Sequence, residues 1–216
     1  MATPHRTDTS ISRSRRHGDA IGAAVGLAVL VVGMILVRNG SVSRPEESVF
    51  HALNDLPGAL YPLVWPSQQL GSLAVGPLVV VVAMLARRYR LALAALVATM
   101  SKLVFERIVK ATVSRERPGT SIGPDVHLRG DVPTTGESFV SGHAVLVAAL
   151  AGIIAPYLPG RWRALLWAVV GLVMFGRVYV GAHNPLDVVC GAGLGIAIAC
   201  VINLALGVPV KEAEND

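Results

Sequence analysis

The sequence predicts an all-α, polytopic membrane protein: six transmembrane helices in one bundle, with a short interfacial helix on the outer side. Three observations predict it. Of the 216 residues, 53% are hydrophobic and only 15% charged, and the mean hydropathy is +0.58; soluble domains are less apolar and more charged. Six apolar runs approach the roughly 20 residues that a membrane crossing needs, at about 19–37, 70–86, 91–110, 143–158, 164–180 and 186–208. The charges gather in the connections between these runs.

The first run lies too far into the chain, and is too soon followed by others, to be only a signal peptide. Residues 1–18 before it are rich in Ser, Thr and Arg and read as a disordered basic tail. Residues 19–208 read as one membrane domain with outer loops at about 38–69 and 111–142, and 209–216 as a second tail. In the first outer loop, residues 46–54 place Val49, Phe50 and Leu53 on one helical face, and Tyr61 and Trp65 follow. This fits a short helix lying on the membrane surface with aromatic anchors, or equally a folded loop packed on the bundle.

The net charge is +5, and 16 of the 19 basic residues are arginine. High Arg, Ala, Val and Gly with little Lys suggests a high-GC bacterial source. The positive charge is not a nucleic-acid signal, because it falls between apolar runs, where it sets topology. Arg6, Arg13, Arg15 and Arg16 precede the first run. Arg87, Arg88 and Arg90 separate the second and third, and Arg161 and Arg163 the fourth and fifth. With six crossings these segments share one side. The positive-inside rule makes it cytoplasmic, with both termini there. Cys190 and Cys200 lie ten residues apart on the last helix, about 15 Å. That is too far for a disulfide, so both read as packing residues.

Three polar clusters interrupt the apolar chain: Lys110-x6-Arg117-Pro118, then Ser138-Phe139-Val140-Ser141-Gly142-His143, then Arg177-x5-His183-x3-Asp187. On the six-span topology all three meet at the outer face, a convergence independent of the arginine argument. They combine cations, two histidines, a serine and a carboxylate, which suits a phosphate group. Lys110 and Arg117 can bind its oxygens, or can be ordinary cations snorkelling to the interface. Ser141 suits a helix N-cap. The free N–H groups of Gly142 and His143 then face an anion, unless the segment is simply a capped helix. Asn184 and Pro185 read as the start of the last helix. Asp187 in its first turn can take the Nδ1 proton of His183 and leave Nε2 free to attack, or can merely complement the helix dipole. The Arg177 fork can hold phosphate bidentately or favour a helix C-terminus.

Taken together, the clusters resemble those of the type 2 phosphatidic acid phosphatase superfamily of integral-membrane lipid phosphatases, whose motifs are K-x6-R-P, P-S-G-H and S-R-x5-H-x3-D. The resemblance covers about residue 70 to the end of the sixth run. It implies that Lys110, Arg117 and Arg177 bind phosphate, with Ser141 and Gly142 completing the cradle. It also implies that His183 is the nucleophile, Asp187 orients it and His143 is the general acid. Two positions depart: Val140 stands in place of the usual Pro and Gly176 in place of the usual Ser. They put rate and substrate preference in doubt more than the class of chemistry.

The expected activity is hydrolysis of a lipid phosphomonoester or diphosphate at the outer face of a bacterial inner membrane, through a phosphohistidine. No cofactor is expected, and the carboxylates show no grouping suited to Mg²⁺. Outer-face placement favours a polyprenyl diphosphate or phosphate, with phosphatidylglycerophosphate and phosphatidate open. The alternatives are phosphotransfer from the same intermediate to a lipid or sugar, and a non-enzymatic anion or lipid transporter. The spans offer a transporter few ionisable groups beyond Lys102 and Glu106. Lys102, Glu106 and Lys110 recur every four residues and form one stripe on the third helix. Lys102 lies about 16 Å along from Leu91, near the bilayer midplane, where an unpaired charge costs at least about 2.5 kcal/mol. The stripe must face the bundle interior, with Glu106 paired to Lys102, Lys110 or Arg107. Glu106 is then either a structural ion-pair partner or a group that aims Lys110 at phosphate.

Overall fold

The computed structural model describes residues 13–209. The main elements are α1 (His17–Leu36), α2 (Arg44–Asn54), α3 (Tyr61–Gln69), α4 (Val75–Leu85), α5 (Tyr89–Thr112), the short α6 (Pro118–Ser121), α7 (Gly142–Ile154), α8 (Gly160–Tyr179) and α9 (Pro185–Leu206). A two-residue antiparallel pair joins β1 (Arg13–Ser14) to β2 (Val208–Pro209). Part of the expected N-terminal tail is therefore structured: residues 13–14 pair with 208–209, and α1 begins at His17. The rest of that tail, residues 1–12, and residues 210–216 of the second tail lie outside the described residues.

Among the described residues three helices, α1, α8 and α9, are long and apolar enough to cross a membrane. The other expected spans differ in instructive ways. α5 has 24 residues, about 36 Å, but carries Arg90, Lys102, Glu106, Arg107 and Lys110. α7 continues through a 3-10 turn at Ala155–Tyr157 and is shorter. Its apolar character is that of a protein core, with Val145, Leu146, Ala148 and Ala149 fully or nearly fully buried. α4 has only 11 residues. The expected start at Leu70 does not hold, because residues 70–76 run on tighter three-residue bonds such as Gly71 N to Gln68 O at 3.1 Å and Gly76 N to Leu73 O at 3.2 Å. Within this stretch Gly71 lies against His143: a Cβ there would lie 2.8 Å from the Cβ and Cδ2 of His143.

The core is built on α9, with α7 on one side and α1 on the other. Small residues allow the close approach that membrane helices favour. A Cβ on Gly193 would sit 3.0 Å from the carbonyl oxygen of Gly26 on α1. A Cβ on Gly195 would strike the Val145 carbonyl of α7. The free thiols occupy similar niches, Cys190 against Gly33 and Cys200 against Gly22. Large apolar side chains point outward in numbers: Val31, Val32 and Ile35 on α1, Val81, Val82 and Leu85 on α4, Leu96, Val104 and Ile108 on α5. That apolar exterior is the surface of a membrane protein.

The described arginine-bearing segments share one end of the bundle, while Arg6 lies outside the described residues. Arg90 Nη1 donates to Leu206 O at 3.1 Å, Arg88 lies over the Tyr157 ring, and Arg163 Nε donates to Leu158 O at 2.8 Å. The polar clusters lie at the other end. There α2 is packed on the bundle rather than merely lying on a surface. Phe50 is fully buried among Val126, Ala144, Val178 and Val188. Asn54 Nδ2 donates to Tyr179 O at 3.0 Å and Asn54 Oδ1 accepts from His127 N at 2.8 Å. Val49 and Trp65 are both half exposed, while Tyr61 packs against Gly130.

Candidate phosphate-binding site

Backbone hydrogen bonds draw the three clusters together. The last turn of α8 folds back so that Ala182 N and His183 N both donate to Arg177 O, at 3.0 and 3.3 Å. Gly181, at φ +76°, makes that turn possible. This closure accounts for the five-residue spacing between Arg177 and His183. Arg117 Nη1 donates to Ala182 O at 2.8 Å and its Nε to Thr135 O at 3.1 Å, which ties the first cluster to the third. Ser141 N donates to Asp187 O at 3.0 Å and ties the second to the third. Ser138 holds the approach: its Oγ donates to Glu116 O at 2.9 Å, and its N–H to Arg115 O at 2.7 Å.

His183 and Asp187 form a buried dyad. His183 Nδ1 lies 3.6 Å from Asp187 Oδ2, slightly beyond hydrogen-bond length, and has no other protein partner. Asp187 Oδ2 also accepts from Asn184 N at 2.8 Å, at the start of α9. Burial pushes the His183 imidazole down to about 4; Asp187 opposes the shift, while the Arg177 and Arg117 charges reinforce it. The ring is therefore neutral at pH 7, as a nucleophile must be. Burial also lowers Arg117, with the Asp187 and Glu106 charges working the other way. His143 lies within electrostatic reach of Arg177, His183, Lys102 and Glu106.

The buried polar atoms around this dyad that lack a protein partner include Ser141 Oγ, Arg177 Nε and His183 Nδ1. Unpaired buried groups are costly unless something else satisfies them. Ser141 occupies the N-cap position of α7 as expected, but its side chain makes no cap hydrogen bond. The hydroxyl is left free rather than spent on the helix. The Phe139–Val140 peptide, where the departure from the family pattern lies, is cis.

The stripe on α5 faces inward and closes one wall. Glu106 bridges Lys102 Nζ at 2.7 Å and Lys110 Nζ at 2.9 Å, so of the three candidate partners it takes the two lysines. A Cβ on Gly142 would fall 2.5 Å from Glu106 Oε2; only glycine lets the start of α7 approach that carboxylate. The second departure also has a structural counterpart. A Cβ on Gly176 would overlap the Gln68 side-chain amide from α3, so Gln68 fills the space a serine would use.

Two residues of this region escape the sequence reading. Arg115, two positions before Arg117, is completely buried. Its Nη1 donates to Asp187 Oδ1 at 2.8 Å, and its Nη2 to Glu46 Oε2 at 2.6 Å. Glu46, on α2, also accepts from Leu186 N at 2.9 Å through Oε1. Burial works to lower the Arg115 guanidinium, but Glu46 and Asp187 outweigh it and hold it above its ordinary value. The signal that could have found Arg115 was the density of charge in Arg115-Glu116-Arg117; nothing local marks Glu46. Among the described residues no group of three or more His, Cys, Asp or Glu side chains is arranged to hold a metal ion.

The chain is similar to known proteins. Residues 89–208 match the PAP2 superfamily, a stretch that contains all three clusters. An undecaprenyl-diphosphatase of Sulfolobus acidocaldarius is 31% identical over 115 residues, 52% of this chain and 54% of that protein. The chain thus spans about half the length of that relative. The crystal structure of LpxE from Aquifex aeolicus superposes with a TM-score of 0.66 at 24% identity, covering 72% of this chain and 92% of that one. A transmembrane PAP2-type phosphatidylglycerolphosphate phosphatase from Bacillus subtilis gives 0.65 at 21% identity, covering 83% and 94%. At these identities the two structures establish the fold. With more than half of its length matching and the three clusters gathered at one end of the bundle, the chain belongs to the PAP2 superfamily of membrane proteins.

Proposed function

We propose that the protein is a lipid phosphatase that hydrolyses a lipid phosphomonoester or diphosphate through a phosphohistidine on His183. The observation that carries this reading is the buried dyad: a neutral imidazole 3.6 Å from a carboxylate, with Arg177 and Arg117 close enough to act on it electrostatically. His183 Nε2 attacks phosphorus and the P–O bond to the leaving group breaks. His143 donates the proton that the departing oxygen takes. Water then attacks the phosphohistidine, with His143 as base, and the P–N bond breaks to release phosphate. Asp187 holds the imidazolium form as it develops. Lys110, Arg117 and Arg177 neutralise the phosphoryl oxygens, and Ser141 Oγ and the N–H groups at the start of α7 complete the cradle. These cations supply the charge that a bound metal would otherwise bring.

The substrate class follows from the setting. The site lies at the end of an apolar exterior, so the hydrocarbon part remains in the bilayer and only the head group enters. The curated relative is named for a polyprenyl diphosphate, and we assign this chain the same class first. In our reading the chain crosses a bacterial inner membrane six times, with α4, α5 and α7 as the remaining crossings. A hydrophobic element shorter than the bilayer core is accommodated by local thinning of the bilayer. The arginine end is cytoplasmic and the site extracytoplasmic.

The test is phosphate release in detergent from undecaprenyl diphosphate, undecaprenyl phosphate, phosphatidylglycerophosphate and phosphatidate, with and without vanadate and EDTA. Vanadate mimics five-coordinate phosphorus and is expected to inhibit; EDTA is expected to have no effect. Loss of activity in EDTA that Mg²⁺ restores would overturn the metal-independent chemistry. In sealed vesicles of known orientation, cleavage confined to the face bearing Arg88 and Arg161 would overturn the sidedness. Adding a polar lipid acceptor separates hydrolysis from transfer by whether phosphate appears free or on the acceptor.

A further inference from the structure

Asp187 has two oxygens, and their tasks are divided. Oδ2 faces His183 and caps the Asn184 N–H. Oδ1 is taken by Arg115 Nη1 at 2.8 Å. Arg115 is in turn gripped by Glu46 through both carboxylate oxygens, Nη1 to Oε1 at 3.1 Å and Nη2 to Oε2 at 2.6 Å. Glu46 itself is fixed by the Leu186 N–H of the first turn of α9. All three side chains are buried.

We propose that Glu46 and Arg115 are positioning residues for the nucleophile: Glu46 fixes the guanidinium, and the guanidinium fixes the Asp187 carboxylate so that Oδ2 is the oxygen left to His183. The inference rests on His183 being the nucleophile. Its physical ground is that a buried carboxylate beside one imidazole can rotate between equivalent hydrogen-bonding positions, and a donor that is itself held in place on its other oxygen stops it. A free-standing buried arginine would also be expensive. Here each charge meets an opposite one, and the partners come from three distant parts of the chain.

The relay carries charge as well as geometry. The charged and titratable groups that bear on His183 are Asp187 from α9, Arg177 from α8, Arg117 and Arg115 from the segment after α5, His143 from α7, and, behind Arg115, Glu46 from α2. Glu46 balances Arg115, so the Asp187 charge remains available to the imidazolium that forms. Without Glu46, the Arg115 charge is uncompensated and opposes protonation of His183.

The test uses the full-length protein in detergent, only the monodisperse folded fraction, with farnesyl diphosphate as the probe. Glu46→Gln is expected to lower kcat at least tenfold with KM within twofold, since the phosphate-binding cations are untouched. The acid limb of its kcat/KM profile should move to lower pH by about half a unit or more. Glu46→Asp keeps the charge but shortens the reach. It should lower kcat while leaving the acid limb at its wild-type position. A purely structural role would move neither limb, and the lost activity would follow the lost folded fraction; that result overturns the relay. Should Glu46→Gln not yield folded protein, Glu46→Asp decides alone: unchanged kcat with normal thermal unfolding overturns the inference. His183→Ala is measured alongside. If it keeps turnover, the assignment of the nucleophile fails; if it is inactive while both Glu46 variants behave as wild type, only the relay fails.

Discussion

Ser141 donates its backbone N–H to the carbonyl oxygen of Asp187 at 3.0 Å, so the starts of α7 and α9 are bonded to one another. That single bond brings the helix end that can face an anion beside the carboxylate of the dyad. Gly191, on the next turn of α9, permits the contact, since a Cβ there would lie 2.8 Å from Ser141 O. The chemistry proposed for this end of the bundle depends on that close helix pairing.

Removing the two histidines should have different consequences. His183→Ala removes the only proposed nucleophile, and turnover should fall to background. His143→Ala removes the proposed proton donor, with an expected loss of about 10²–10⁴-fold. That loss should be smallest for diphosphates, whose leaving group needs least protonation. Single-turnover phosphate release with the folded variants checks both. Substantial turnover by folded His183→Ala would falsify the nucleophile assignment.

The pH dependence has a defined sign. His183 is held at about 4, below its ordinary 6.5, chiefly by burial. In the proposed mechanism its neutral form attacks, so kcat/KM should be flat near pH 7 and fall as pH drops through about 4. Stability follows the same group in a related window. Between about 6.5 and 4 the unfolded chain binds a proton that the folded chain does not, so stability should be full above 6.5 and decline as pH falls. Thermal unfolding in detergent from pH 7.5 to 4, with His183→Gln as the comparison, measures the part due to this residue.

Glu106 bridges Lys102 and Lys110 and fills the space that a Cβ on Gly142 would need. If it aims Lys110 at phosphate, Glu106→Gln should slow turnover about fivefold, roughly 1 kcal/mol, with the melting temperature nearly unchanged. A fall in stability that accounts for the whole loss assigns it the structural role alone. An unaffected enzyme removes both roles.

Gly176 and Gln68 should behave as a pair. Gly176→Ser forces the new side chain into the Gln68 amide, and overpacking of this kind costs about 1–3 kcal/mol. The melting temperature should fall. Adding Gln68→Ala should restore most of it, because the space is then vacated. Equal melting temperatures for Gly176→Ser and wild type would show that α3 yields without cost.

The sequence by itself determined the membrane class, the long helices within a few residues, one end of the bundle for the arginine segments and the opposite end for the three clusters; it missed α3 and the true start of α4. Each is written in local pattern: apolar run length, glycine and proline at helix starts, and fixed spacings such as Arg177 to His183. The stripe of Lys102, Glu106 and Lys110 was legible for the same reason, since one helix turn sets its spacing. The tertiary structure alone decided which neighbours these residues meet. It distinguished Arg115, fully buried between Glu46 and Asp187, from Arg117, which reaches the Ala182 carbonyl. It left the Ser141 hydroxyl unspent where an N-cap was expected, and it set Gln68 against Gly176. It packed α2 onto the bundle through Phe50. Such partners stand 69 to 72 residues apart for the Arg115 pairs. No periodicity within a segment encodes that distance; only the packing of α2, α5, α7 and α9 closes it.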